Sequence, residues 1–393
     1  MIARKIAVAM EQGSFIRKMF EEGNRLRSIH GPDKVFDFSL GNPDLEPPQE
    51  VQQALREVVG EPGSGHHAYM SNNGYPETRS AVAEWLNLAD LPERVTPDLV
   101  CMTVGAAGAL NVALKAILDP GDEVLILAPF FVEYVSYVDN HGGKLVIVPC
   151  DPATFLPDPA AIARAITPRT RALIINTPNN PSGAVYSSAL LEEIDAVLLA
   201  APQPIVVLSD EPYSAIAYDG KQVPSTLACL HNAVMCYSWS KSLSLPGERI
   251  GFCAVSPRCQ DARQLSAALT YCNRILGFVN APALFQRVIT RTIHATVDVR
   301  RYEDRRNRLH AILTEAGFTA RKPEGGFYVF MKSPIDDDVA FAAACAEHQV
   351  LLVPGKGFGF PGFVRLCFAV PDQLIEGSRS AFQKIGRQFG LIQ

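Results

Sequence analysis

The stretch AVMCYSWSKSLSLPGERIGFCAVS, residues 233–256, sets two apolar runs around a polar centre. Residues 233–240 and 250–256 each have the length and composition of a buried strand. Between them Lys241 sits among Ser238, Ser240, Ser242 and Ser244, and Arg249 follows eight residues after the lysine, bracketed by Gly247 and Gly251. A lysine ordinarily keeps its charge in water. Alone, the stretch reads either as a solvated turn or as a site.

Upstream, the same kind of run recurs. LVCMTVG (99–105), VLILAP (124–129), KLVIVP (144–149), ALIINTP (172–178) and IVVLSDEPY (205–213) bring the strand segments to seven. Helical periodicity covers 106–118, DPGDE (119–123) has turn chemistry, and PDPAAIARAIT (157–167) opens a helix at Asp-Pro, where a first-turn proline is tolerated. Near-continuous apolar strands separated by helices predict an α/β fold with a mainly parallel sheet covered on both faces. Beyond residue 290 the pattern changes. A long charged helix (295–317), the run GGFYVFM, a helix at 337–347, the run VRLCFA and a final helix at 372–388 predict a smaller α+β domain. The expected division is a large domain over 46–290 and a small domain over 1–45 and 291–393, which includes an N-terminal arm.

Composition narrows the function classes. Hydrophobic residues make up 48% and charged residues 20% of 393 residues, a globular balance. The net charge is −5 with no polybasic block, which argues against nucleic-acid and anionic-lipid partners. The nine cysteines are scattered and never spaced C-x-x-C, which fits buried thiols in a reducing compartment and neither a disulfide frame nor a zinc site. The N-terminal MIARKIAVAMEQGSFIRKMFEEG reads as an amphipathic arm, and no 18-residue apolar span occurs. The expectation is a soluble, cytoplasmic protein without a metal.

In open α/β sheets ligands bind at the carboxyl ends of strands, and polar motifs fall there. TVGAAGAL (103–110) ends a strand in Gly105 and opens a helix with small residues, which either pack tightly or admit an anion to the free helix N–H groups. NTPNNPSG (176–183) is either a surface turn or a means of holding Asn180 in a cleft. SDEPY (209–213) ends a strand in Asp210, a helix N-cap or a charge kept for a ligand cation, with Tyr213 beyond it. Covalent lysine chemistry needs a neutral amine, so the pKa must fall from about 10.4 toward 7, a differential interaction of roughly 4–5 kcal/mol. Arg249 beside Lys241 is a candidate for part of it.

Taken together these motifs resemble the class I/II aminotransferases, pyridoxal 5′-phosphate (PLP) enzymes of the aspartate aminotransferase fold. LGNPD near residue 40, HAYMSNNGYPETR (67–79), GAAGAL (105–110), APFFVEY (128–134), NTPNNPSGAVY, SDEPY, SWSKSLSLPGERIG, PEGGFYVF (323–330) and FVRLCF (363–368) carry the resemblance over nearly the whole chain. It implies a Schiff base between Lys241 and PLP, with Lys241 then shuttling a proton at the substrate Cα, in a ping-pong exchange between an amino acid and a 2-oxo acid. It further implies that Asp210 pairs with the pyridinium nitrogen and that Tyr213 and Asn180 bond the ring's phenolate oxygen. Ser238, Ser240, Arg249 and the backbone of Gly105, Ala106 and Ala107 would hold the phosphate, and Phe131 would stack on the ring. Tyr69 would reach the phosphate of a neighbouring subunit, which implies a homodimer. Arg365 would bind the substrate carboxylate, with the Gly41 loop closing over it and Asn180 beside it.

The same signature is compatible with a lyase, a decarboxylase or a cyclase of this fold, because all begin from the same covalent amino-acid complex. A non-catalytic PLP-sensing regulator domain is a remoter reading, since the arm of the fold itself begins near residue 1. Substrate choice stays open among aspartate, aromatic and neutral aliphatic amino acids. Some aspartate-preferring relatives place a lysine in the turn after the first strand of the large domain, where this chain has Ala107 and its neighbours and no lysine; Arg17 and Arg274 are candidate substitutes.

Overall fold

The computed structural model describes residues 1–12, 15–63 and 65–393. In chain order its strands are β1 (Phe36–Asp37), β2 (Val100–Thr103), β3 (Glu123–Ala128), β4 (Lys144–Pro149), β5 (Thr170–Asn176), β6 (Val206–Asp210), β7 (Ala233–Ser238), β8 (Gly251–Val255), β9 (Tyr328–Lys332), β10 (Val350–Leu351), β11 (Val353–Pro354) and β12 (Phe363–Cys367). Strands β2 to β8 make one seven-stranded sheet in the order β2-β8-β7-β6-β5-β3-β4. Its neighbours run parallel except around β8, which is antiparallel to both β2 and β7. The mainly parallel sheet expected from the apolar runs is therefore present, with all seven segments in it. Every residue of β3 and β7 is buried, as strands covered on both faces require. Edge strand β4 instead exposes Lys144 and Ile147.

The run at 233–240 changes character earlier than its composition suggests. Strand β7 stops at Ser238, whose side chain accepts a hydrogen bond from the Ser240 N–H and caps the single helical turn Trp239–Ser242. Lys241 thus rides on a short helix just past a strand end. Asp158 caps the helix Pro159–Ala165 in the same way, with Pro159 in the first turn. The last helix is two, Asp372–Gly377 and Arg379–Gln388. The break falls at a Gly-Ser pair, where the Ser378 hydroxyl donates back to the Ile375 carbonyl.

Strands β11, β12 and β9 form a second, antiparallel sheet, and β1 pairs in parallel with β10. Two large apolar clusters result. One gathers buried residues between Val51 and Ile293 around the seven-stranded sheet. The other joins Phe38 to the buried faces of the helices Val299–Glu315, Asp338–Glu347 and Arg379–Gln388 and of β9 and β12, and takes in Tyr213, Ile216 and Tyr218. All nine cysteines are buried free thiols. Among the described residues no helix is long and apolar enough to cross a membrane.

Candidate active site

Three neighbouring strands end in polar side chains, Asn176 on β5, Asp210 on β6 and Ser238 on β7, and a cavity of about 300 Å³ opens where they stop. Asn176 stitches two strand ends together. Its Nδ2 donates to the Asp210 carbonyl at 2.7 Å, and its Oδ1 accepts from the Asn180 N–H at 2.6 Å. Asn180 and Tyr213 thereby enter the same cavity wall as Asp210 and Lys241.

One end of the cavity suits an anion. The helix Gly105–Ile117 begins there, and Ala106 and Ala107 line the wall with Ser238, Ser240 and Arg249. Gly105 has φ +79°, and a Cβ on it would lie 2.9 Å from Arg249 Nη2 and 3.5 Å from Ser238 Oγ. The missing side chain is what lets guanidinium, hydroxyl and helix start converge. Gly251 serves the same approach from β8, since a Cβ there would strike the Tyr237 carbonyl at 2.3 Å and Gly105 Cα at 2.7 Å.

Asp210 is buried, and its two oxygens differ. Oδ2 accepts from the Tyr134 hydroxyl at 2.5 Å, whereas Oδ1 is buried without a hydrogen-bond partner. Burial pushes the carboxyl up to about 6, partly offset by the Tyr134 bond. Lys241 lies on the same cavity, its Nζ donating to the Gly41 carbonyl at 2.6 Å. Burial pulls its pKa down to about 8, and the charges of Arg365 and Arg249 pull in the same direction. Near neutral pH the amine is then neutral far more often than an unperturbed lysine, which is neutral about one part in a thousand at pH 7.5.

On the far wall Arg365, on β12, is held by groups that leave it a donor to spare. Nη1 donates to Asn180 Oδ1 at 3.2 Å and Nη2 to the Ser39 carbonyl at 2.7 Å, while Nε is buried without a partner. The rings of Tyr328 and Phe358 flank the guanidinium at 4.4 and 4.8 Å. No carboxylate pairs with it among the described residues. A buried cation stacked between aromatic rings and short of an anion is built to receive one.

Residues 33–380 match the family Aminotransferase class I and II. The chain belongs to this family. It is similar to the aspartate/prephenate aminotransferase of Thermus thermophilus, 36% identical over 361 residues that cover 90% of each chain. It is similar also to the aromatic-amino-acid aminotransferase 2 of Thermococcus litoralis, 30% identical over 98% of each. Among solved structures, an aminotransferase from Eubacterium rectale superposes with a TM-score of 0.95 at 40% identity, covering 99% of both chains. Aspartate aminotransferase from Thermus thermophilus with maleate superposes with a TM-score of 0.87 at 29% identity over 98% of this chain and 99% of that one.

The protein is thus a PLP-dependent aminotransferase, which moves an amino group between an amino acid and a 2-oxo acid. The residues present fit that cofactor on this structure's own terms. The unpartnered Asp210 Oδ1 is free to accept from a cationic N–H such as a pyridinium's, and the Gly105 cradle has donors that suit a phosphate. Lys241 supplies an amine already partly neutral.

In the aminotransferase, Gly41, Ala106, Ala107, Phe131, Asn180, Asp210, Tyr213, Ser238, Ser240, Lys241, Arg249 and Arg365 all line this same cavity, and Gly105 backs it. Phe131 meets Tyr134 edge-on at 5.6 Å. Tyr69 is not brought there within this chain and is 89% exposed. Arg274 is exposed and stacks on Tyr271, away from the cavity wall, and the side chain of Arg17 lies outside the described residues. Sequence reasoning gave no part to Asn176, Tyr134 or Tyr328. Tyr134 stood in the quoted APFFVEY and Tyr328 in PEGGFYVF, where spacing to Asp210 or Arg365 is not visible.

Proposed function

We propose that this aminotransferase works through Lys241 and that its cavity receives the cofactor at Asp210 and the substrate carboxylate at Arg365. The observation that carries the reading is a pair of orphaned atoms on one cavity, Asp210 Oδ1 wanting a donor and Arg365 Nε wanting an acceptor. A buried unpaired polar group costs roughly 1–3 kcal/mol. Two of opposite sense on one cavity are accounted for by a cofactor with a cationic N–H at one end and a substrate with a carboxylate at the other.

Bound PLP supplies an electron sink for the substrate Cα and an aldehyde carbon that carries the amino group between substrates. Lys241 Nζ would anchor the cofactor covalently and would hold and return the proton at the substrate Cα. Asp210, held by Tyr134, would keep the proton on the ring nitrogen. Tyr213 and Asn180 would donate to the ring's phenolate oxygen, and Phe131 would cover the ring. Ser238, Ser240, Arg249 and the N–H groups of Ala106 and Ala107 would hold the phosphate, Arg as a fork that lysine lacks. Gly41 caps the substrate carboxylate at Arg365, with Asn180 beside it.

Tyr69, exposed in the single chain, reaches a phosphate of a second copy, so the working unit is a homodimer acting in the cytoplasm. For a division into a domain over 46–290 and one over 1–45 and 291–393, the support is that most of the two large apolar clusters falls on either side of it, with Tyr213, Ile216 and Tyr218 crossing to the second and Ile293 to the first. Relatives are named for aspartate, prephenate and aromatic amino acids. A half-reaction panel over those classes and a neutral aliphatic amino acid fixes the substrate. Lys241→Ala abolishes both borohydride-trappable PLP and turnover; an active variant would overturn the assignment.

A further inference from the structure

Tyr328 begins β9 with its hydroxyl at a crossing point of the site. Its Oη lies 3.2 Å from Tyr213 Oη, and its ring lies against the Arg365 guanidinium, 4.4 Å from centroid to Cζ. Gly41 passes so close that a Cβ there would sit 1.8 Å from the same hydroxyl. Both tyrosines are buried, at 3% exposure each, and their rings meet edge-on at 6.0 Å. The other ionisable groups acting on the pair are Arg365 and Cys367, both on β12.

A phenol has one proton to give. The ring oxygen that Tyr213 serves in the reading above is anionic and needs a donor, so the Tyr213 proton is committed to the cavity. The bond between the two hydroxyls must then run the other way, from Tyr328 to Tyr213. A phenol that accepts one hydrogen bond while donating another is the stronger donor. We propose that Tyr328 is a positioning residue with two separable parts: its hydroxyl donates to Tyr213 and so aims the Tyr213 proton at the cofactor oxygen, and its ring seats Arg365 for the carboxylate. The hydroxyl acts only through Tyr213; the ring acts whether or not the hydroxyl is present.

This inference rests on the role given to Tyr213, and the test separates the two. The absorbance of PLP bound to the holoenzyme is titrated against pH in wild type, Tyr213→Phe, Tyr328→Phe and the double variant. Tyr213→Phe raises the chromophore's apparent pKa. Tyr328→Phe raises it by about half a pH unit to one unit, the worth of one hydrogen bond. In the Tyr213→Phe background the second change adds nothing. Dissociation constants for a simple dicarboxylate inhibitor such as succinate are measured alongside. They stay within about twofold in Tyr328→Phe and weaken about fivefold or more in Tyr328→Leu, which loses the stacked ring. An unmoved pKa in Tyr328→Phe, or a shift that persists in full without the Tyr213 hydroxyl, overturns the inference while leaving Tyr213 in place. An unmoved pKa in Tyr213→Phe overturns the reading of Tyr213 and this inference with it.

Discussion

Tyr134 donates its hydroxyl proton to one oxygen of Asp210, and the other oxygen of that carboxylate is buried with nothing to accept. The folded carboxyl titrates near 6, above an unfolded aspartate at about 3.9. Between those values the native state holds a proton that the unfolded chain has released. Stability of the cofactor-free protein therefore falls as pH rises from about 4 to about 6, and the full cost, about 2–3 kcal/mol, stands above that. Asparagine has no such cost. Cofactor-free Asp210→Asn should outlast wild type in urea at pH 7, with the gap closing below pH 4. Burial raises Glu211 to about 7 as well, and the Asp210 charge adds to that rise, so Asp210→Asn also relieves Glu211 in the same direction. A gap that does not change with pH would sink this account.

Capture of PLP should follow the Lys241 amine. With its pKa lowered to about 8, the neutral fraction rises about tenfold per pH unit below 8 and levels off above it. Stopped-flow absorbance after adding PLP to the cofactor-free enzyme reads this rate. A plateau reached only near pH 10 would mean that burial and the neighbouring cations do not act on this amine.

Gly105→Ala tests the anion end. The new methyl meets Arg249 at 2.9 Å on a backbone with φ +79°. The expected result is a PLP dissociation constant raised about tenfold, because the displaced Arg249 gives up a charged hydrogen bond to the phosphate, worth about 1.5 kcal/mol. Gly121, also at positive φ but with open space around it, is the control: Gly121→Ala carries the backbone strain and leaves PLP affinity unchanged.

Arg365→Lys keeps the charge and removes the fork between Tyr328 and Phe358. Loss of a bidentate charged contact is worth about 1.5–3 kcal/mol, so KM for the amino acid should rise about 10–100-fold, measured under steady state. The apparent pKa of the bound cofactor should barely move. A fall in kcat at unchanged KM would place the arginine elsewhere in the reaction.

The seven sheet strands were legible because burial on both faces writes itself into the chain as unbroken apolar runs, and Leu125, Leu173 and Leu208 need no partner to be recognised as core. Asp210, Lys241 and Arg249 were legible through motifs local enough to read in order. What stayed hidden were relations across the chain. Tyr134 and Asp210 are 76 residues apart, and Tyr213 and Tyr328 are 115 apart. Nothing in APFFVEY distinguishes a tyrosine that ends in a carboxylate from one that ends in the core. The stop of β7 at Ser238 was likewise invisible, because Trp239 suits a strand as well as a helix turn.

The lysine amine bonds a carbonyl 200 residues away at Gly41, and Arg365 bonds one 326 residues away at Ser39. Such a site has almost no local content. Its pieces come together only when both apolar clusters have condensed and the first tenth of the chain has returned to the last, the slowest kind of contact for a chain to make. Cofactor absorbance is therefore a clock for the end of folding. During refolding, helix and strand signals should be complete before the bound chromophore appears, and newly made chains should stay colourless until their final strands are in place.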